Sequence, residues 1–258
     1  MHRFFVAPEQ VGAERVTLDS DESHHAIKVL RLQYGDTVEL LDGAGRILEG
    51  RIASTDRRAV GIEVSQVRRQ PAPPPVALAP ALIKGRAMDW MIQKATELGA
   101  TAISPLVLDR SVVRVAATEA DTWMGGWRTT CLEACKQCGN AWMPRLDPPR
   151  TLEAFLHRRR PGLLVVASLL PEAGEARRIL NSTEAVETVT LVIGPEGDFS
   201  ERESAALLAA GARPMSLGPL VLRAETAATA GLAVLQHELA CRPIKARQNA
   251  GERDGQGP

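Results

Sequence analysis

The sequence predicts an α/β protein in two parts, a small β-rich module followed by a larger domain on a mostly parallel sheet. Three observations carry this reading. Apolar runs alternate with helical stretches from residue 76 onward, short β-like runs fill the first 70 residues, and Gln70-Pro71-Ala72-Pro73-Pro74-Pro75 separates the two textures. Consecutive prolines fix φ and remove backbone donors, so the segment is a stiff spacer rather than a helix or central strand. The expected organisation is therefore 1–70, 76–243, and a polar, glycine-rich tail over 244–258 that is expected to be disordered.

In the first part the β-like runs are FFV at 4–6, TVELL at 37–41, RILEGRIAS at 46–54 and AVGIEVSQV at 59–67. Turn chemistry at Gly35-Asp36, Asp42-Gly43 and Asp56 separates them, and residues 23–30 read as one helical insertion. This pattern suits a small β-barrel, with an open antiparallel sheet as the alternative.

In the second part VALAPALI, AISPLV, LLVVAS and VTLVIG alternate with helical stretches over 86–99, 121–138, 151–157, 172–180 and 200–211. Continuous apolar runs between helices imply parallel strands covered on both faces. Ser200-Glu201-Arg202-Glu203 has the spacing of a capping box, so a helix should start there. Ligands of such sheets collect at the carboxyl ends of the strands. Two glycine turns fall at those positions: Gly194-Pro195-Glu196-Gly197 after VTLVIG, and Gly218-Pro219 within LGPLVLRAETAATAGLAVLQ. Glycine lets backbone approach a ligand closely, and free amides and carbonyls can read an adenine edge; an ordinary strand–helix turn is the alternative for the first of them.

Arg223 stands just before the helix that begins near Glu225. A cation there opposes the helix dipole, which points to an anionic partner or to an ion pair with Glu225 or Glu196.

Composition narrows the function classes. The 258 residues carry 31 Lys+Arg and 31 Asp+Glu, so no polyanion partner is demanded by net charge. Residues 73–160 nevertheless hold 12 Lys+Arg against 8 Asp+Glu, an excess of +4 that could serve one locally. No apolar run approaches the ~20 residues of a membrane span, and MHRFFVAPEQ lacks a signal-peptide core, so a cytoplasmic location is expected. The glycine turns match neither G-x-G-x-x-G nor a Walker A loop, which disfavours dinucleotide and triphosphate binding. Cys131, Cys135 and Cys138 have the C-x3-C-x2-C spacing of radical S-adenosylmethionine enzymes. At i, i+4 and i+7 of a helix they equally form a packing stripe, the preferred reading. His24-His25 lacks a third ligand at metal-site spacing, and no metal is expected.

Taken together, HHAIKVLRLQYGD at 24–36, LIKGRAMDWMIQKATELGATAISPL, CKQCGN, IGPEGDFSERE and LGPLVLRAETAATAGLAVLQ resemble the RsmE family of SPOUT methyltransferases. The resemblance covers nearly everything except the tail. It implies a C-terminal SPOUT domain with a deep trefoil knot around a mostly parallel sheet, and an N-terminal PUA-like β-barrel that helps hold RNA. It further implies methylation of uracil N3 in 16S ribosomal RNA of the small ribosomal subunit by a homodimer using S-adenosylmethionine. Carried onto this sequence, the cofactor residues are Leu169, Gly194, Pro195, Glu196, Gly197, Leu217, Gly218, Leu220, Leu222, Arg223 and Thr226. Arg223 is the catalytic candidate. Arg3, His25, Lys28, Arg31, Lys84 and Arg86 are the RNA-binding candidates, with Lys28 and Arg31 sharing one face of a short helix. Arg57-Arg58 and Arg68-Arg69 read as surface charge. Trp90, Met91 and the apolar face of 224–240 are open to both core and interface. The sequence departs from the family pattern at Leu220, where a basic residue is usual, and at Ala224, Cys138, Asn140 and Asp198; Asp198 replaces a usual glycine.

Overall fold

The computed structural model describes residues 1–56, 59–111, 113, 120–183 and 187–241; Arg57, Arg58 and the tail over 244–258 lie outside the described residues. The chain divides into two compact units, Met1–Pro73 with Thr129–Met143, and Pro74–Arg128 with Pro144–Pro258.

In the first unit β1 (His2–Phe5), β2 (Arg15–Thr17), β3 (Thr37–Leu41), β4 (Arg46–Asp56) and β5 (Ala59–Arg69) form a sheet in the order β1-β3-β4-β5-β2. The β3-β4-β5-β2 ladder is antiparallel, but β1 runs parallel to β3, with His2 opposite Val38. Local alternation signals the β3-β4-β5 ladder. It does not signal the distant β1–β3 pairing, or β2, whose three residues bury only Val16. Phe4, Leu40, Leu48, Ile52 and Ile62 close the core.

Asp19 caps α1 (Ser20–His24) by accepting from the Glu22 N–H at 2.8 Å, and the helix then loosens into a π-helical turn, His25–Val29. The single helix expected over 23–30 is thus earlier and of two kinds. Arg31 follows at φ 57°, in the left-handed region, so it does not share a helical face with Lys28.

A charged bracket crosses this sheet. Arg3 Nε donates to Glu39 Oε2 at 2.8 Å, and Arg68 Nη2 to Glu39 Oε1 at 2.7 Å. Arg68 Nε also reaches Glu49 at 2.8 Å. Burial pushes the Glu39 carboxyl up, but the hydrogen bonds and charges of Arg3 and Arg68 outweigh it and hold the group below its ordinary value. Arg68 is therefore a structural cation. Arg69 lies over the Trp142 ring at 5.2 Å.

In the second unit the strands are β6 (Val76–Pro80), β7 (Ala102–Ile103), β8 (Leu106–Val107), β9 (Arg145–Leu146), β10 (Arg150–Thr151), β11 (Leu163–Ala167), β12 (Val189–Ile193) and β13 (Arg213–Met215). Six of them make one all-parallel sheet, ordered β13-β11-β12-β6-β7-β9. The helices are α2 (Gly85–Glu97), α3 (Ala120–Cys138), α4 (Leu152–Arg158), α5 (Ala176–Asn181), α6 (Glu201–Ala209) and α7 (Ala224–Ala240); the residues of α3 are divided between the two units. Pro105 interrupts the apolar run AISPLV, which becomes β7 and β8. The helix expected over 172–180 starts only at Ala176, because the Gly174 backbone bonds to Pro214 and Ser216 alongside β13.

Both faces of the sheet are covered. Leu164, Val166 and Val192 pack with Phe155, Phe199 and Leu207 on one face. On the other, α7 lies against β6 and β12. A Cβ at Gly231 would come within 2.7 Å of Leu191 Cδ2, so glycine sets this close approach of helix to sheet.

The cysteine stripe serves packing. Cys131 and Cys135 are buried while Cys138 is exposed. Burial, reinforced by the neighbouring thiols of Cys138 and Cys131, pushes the Cys135 thiol up to about 12. Among the described residues no helix is long and apolar enough to cross a membrane, and no cluster of three or more His, Cys, Asp or Glu could hold a metal ion.

Candidate functional site

Three adjacent parallel strands, β13, β11 and β12, end side by side, and the chain leaves each in a turn. Residues 167–169, 193–198 and 217–224 supply most of the lining of one cavity. This is the carboxyl-end position where open parallel sheets bind ligands.

The first wall comes from the turn after β12. Asp198 N–H donates to Pro195 O at 2.9 Å, closing the turn. Asp198 takes φ 61° where glycine is the easier choice; Asn and Asp tolerate this region better than most side chains. Its Oδ1 accepts from the Phe199 N–H at 2.8 Å. A Cβ on Gly194 would sit 3.0 Å from the Phe199 ring, so the cavity floor rests on a core aromatic and leaves no room for a side chain. Ser200 then caps α6 in the expected box with Glu203.

Two residues outside the sequence motifs hold this turn. Arg110 Nη1 donates to Gly197 O at 2.6 Å. Asp109 N–H donates to Glu203 Oε1 at 2.8 Å, while its carboxylate accepts from Ser200 Oγ at 2.7 Å and Arg202 Nη2 at 2.9 Å. The Ser200 hydrogen bond first, then Arg202, holds the Asp109 carboxyl below its usual value. Local patterning gives no sign of this brace, since its partners lie some 90 residues apart.

The second wall is the turn after β13. Gly218 has φ 110°, and its N–H donates to Ser216 Oγ at 3.2 Å. Leu220 and Val221 line the cavity's open side, 71% and 83% exposed. Arg223 is the N-cap of α7, with its carbonyl accepting from the Ala227 N–H at 2.8 Å. Its side chain is exposed, and no described residue pairs with it. Neither the Glu225 nor the Glu196 ion pair forms, which leaves the anionic-partner reading of the sequence.

Of the expected cofactor residues, Leu169, Gly194, Pro195, Glu196, Leu217, Leu220 and Leu222 line the cavity. Gly197, Gly218, Arg223 and Thr226 do not. Gly197 faces the Arg110 side chain, and Thr226 is exposed on α7, where Ala224 and Ala227 face inward instead. Ser168 and Asp198 also line the cavity and were not expected there; the reach of the strand ends could have indicated both.

The expected RNA-binding residues separate by partner. Arg3 is engaged by Glu39 and by the carbonyls of Lys136 and Gln137 at 3.1 and 3.2 Å. Arg3 is thus braced within the fold, with its side chain still 28% exposed. His25 packs edge-on to Phe4 at 6.5 Å. Lys28, Arg31, Lys84 and Arg86 are exposed, with no ion-pair partner among the described residues. Met91 is buried and belongs to the core, whereas Trp90 is 41% exposed. Asn140 Oδ1 accepts from the Trp142 N–H at 3.0 Å.

A parallel sheet with a backbone-lined cavity at its carboxyl ends defines a ligand-binding α/β domain, and known proteins give it a class. Residues 70–236 match the RNA methyltransferase domain family, and residues 18–65 the RNA methyltransferase PUA domain family. The ribosomal RNA small subunit methyltransferase E of Synechocystis is 32% identical, over 90% of this chain and 76% of its own length. That of Bacillus subtilis is 29% identical, over 92% and 97%. Among solved structures, a Legionella pneumophila protein holding bound SAM superposes with TM-score 0.83 at 30% identity, covering 91% of this chain and 96% of its own. The Neisseria gonorrhoeae ribosomal RNA small subunit methyltransferase E, bound to S-adenosyl methionine, gives 0.82 at 25% identity, covering 92% and 97%. The chain belongs to the ribosomal RNA small subunit methyltransferase E family, the RsmE family of its sequence resemblance.

Proposed function

We infer that this protein is an S-adenosylmethionine-dependent methyltransferase that modifies N3 of a uridine in 16S RNA of the small ribosomal subunit. The observation that carries this reading is the cavity at the ends of β13, β11 and β12, with apolar walls and strand-end backbone groups. The residues fit the cofactor. Leu169, Leu222 and Ala227 offer apolar faces to an adenine, free amides and carbonyls can read its edge, and the exposed Glu196 carboxylate complements an ammonium group or ribose hydroxyls. When bound, S-adenosylmethionine supplies an activated methyl group for in-line transfer.

What the chain must supply is alignment and a charge. N3 of uracil ionises roughly two units above neutral pH, so deprotonation costs about 2.7 kcal/mol at pH 7. Arg223, a cation without a partner beside the cavity wall, stabilises the N3 anion as the proton leaves. Glu196, a carboxylate in the cavity lining, stands as the secondary candidate for that proton.

The same reading assigns residues 1–70 to a PUA-like barrel that grips RNA and 76–243 to a SPOUT domain. The turns over 194–198 and 217–224 would be the loops of its trefoil knot. In this scheme Arg3, His25, Lys28 and Arg31 of the first unit, and Lys84 and Arg86 of the second, contact the RNA. The enzyme works in the cytoplasm as a homodimer, for which Trp90 on α2 and Val234 on α7, both 41% exposed, are interface material.

Isothermal titration with S-adenosylmethionine, paired with mapping of the methylated base in 16S RNA from a deletion strain with and without complementation, tests the function. Cofactor binding and a restored N3-methyluridine are expected. Absence of cofactor binding would leave an RNA-binding protein that only keeps the fold.

A further inference from the structure

A second cavity, of about 490 Å³, lies in the Pro74–Arg128 part of the second unit, between the first turns of α2 and α3. Met88, Trp123 and Trp127 wall it, and Lys84 and Asp89 line its polar side. Trp127 is buried, whereas Trp123 is half-buried; the ring centroids are 5.9 Å apart at 60°. Gly126 lines the same cavity. Glycine weakens a helix interior, yet α3 carries two in succession, Gly125 and Gly126, and a Cβ on either would meet open space. The packing of the described residues does not demand them. Lys84 and Asp89 are both exposed and have no described partner.

We propose that this cavity is a nucleobase subsite that takes an amino-bearing base of the RNA, guanine being the best match. The inference rests on RNA being the substrate. The half-buried Trp123 indole, lining a concave and partly apolar site, offers a stacking platform. The Asp89 carboxylate only accepts hydrogen bonds, and guanine presents N1–H and N2–H side by side to its two oxygens. Uracil instead flanks its single N3–H with two carbonyl oxygens that a carboxylate repels. Lys84, and Arg86 in the same turn, neutralise the attached phosphate. The cavity shares no lining residue with the one at the ends of β13, β11 and β12, so the base it takes is a different one from the methylated uridine.

Titration of the full chain with GMP and with UMP, followed by tryptophan fluorescence, tests the site whether or not RNA is methylated. GMP is expected to bind at least about fivefold more tightly than UMP, and Asp89→Asn to remove the preference. Equal affinity for the two nucleotides, or no response to either, overturns the proposal. In methylation assays Trp123→Ala should raise the KM for small-subunit RNA at least about fivefold while the Kd for S-adenosylmethionine stays unchanged. Gly126→Leu fills the cavity while strengthening the helix, so it should raise KM without lowering Tm; an unchanged KM in this variant also overturns the proposal. If the wild type methylates no small-subunit RNA, the functional reading fails, and the nucleotide titration still decides the fate of the cavity.

Discussion

The bracket around Glu39 and the helix starts at Lys84 and Arg223 treat positive charge in opposite ways. In the bracket Arg3 and Arg68 converge on one buried carboxylate, and Lys136 is held between Glu22 at 3.0 Å and Glu133 at 2.7 Å. At the helix starts Lys84 and Arg223 occupy N-caps, where the dipole disfavours a cation, and neither has a described partner. A paired cation explains itself within the fold. An unpaired one in an unfavourable field calls for an anion from outside, which in the proposed function is RNA or the uracil anion. Residue type alone cannot make this distinction; only the partner can.

The largest test of the contrast is Arg223→Ala. Loss of a group that stabilises transition-state charge is expected to lower kcat about 10²–10³-fold, with Tm and the Kd for S-adenosylmethionine little changed. Full turnover by this variant would break the comparison at its most important point. Glu39→Gln should do the reverse, lowering stability by about 1–3 kcal/mol in denaturant unfolding while kcat per folded molecule is kept. The sign of its pH dependence follows from the depressed carboxyl. Stability from Glu39 is present above its ordinary value of 4.5 and is lost as pH falls through the lower folded value, so the gap between wild type and variant should close in acid. Lys28→Ala is expected to raise the KM for RNA about threefold to tenfold and to reduce the salt slope of RNA binding by about 1. Smallest of all, Cys131 and Cys135 should resist alkylation of the native protein at pH 8, with Cys138 and Cys241 reacting.

Much of the α/β unit was legible because its signals are local. Apolar runs fell on β6, β11 and β12, the capping box on α6, and the glycine turns on the cavity wall. The misses share a physical cause. β13 is a three-residue edge strand containing Pro214, which carries no alternation to read. The brace on Arg3 was invisible because its partner Glu39 lies on another strand. Arg31 looked helical because spacing cannot show that the helix turns π and then reverses hand at φ 57°. Ser168 and Asp198 reach the cavity only because β11 and β12 end level, a fact of register. Local chemistry writes elements and turns; pairing between distant segments decides which charges remain available.

Gly231 touches no ligand and lies about 12 Å along α7 from Arg223. Yet it fixes how deeply that helix beds against Leu191 of the sheet. A larger residue there would press first on the Leu191 side chain, and where that side chain does not yield, the helix must shift and its N-terminal end, with Arg223, moves too. A random-mutagenesis screen scored only by methyl transfer would therefore flag position 231 as though it were part of the chemistry. The same position offers a handle to whoever wishes to retune the reaction without altering a single reacting group.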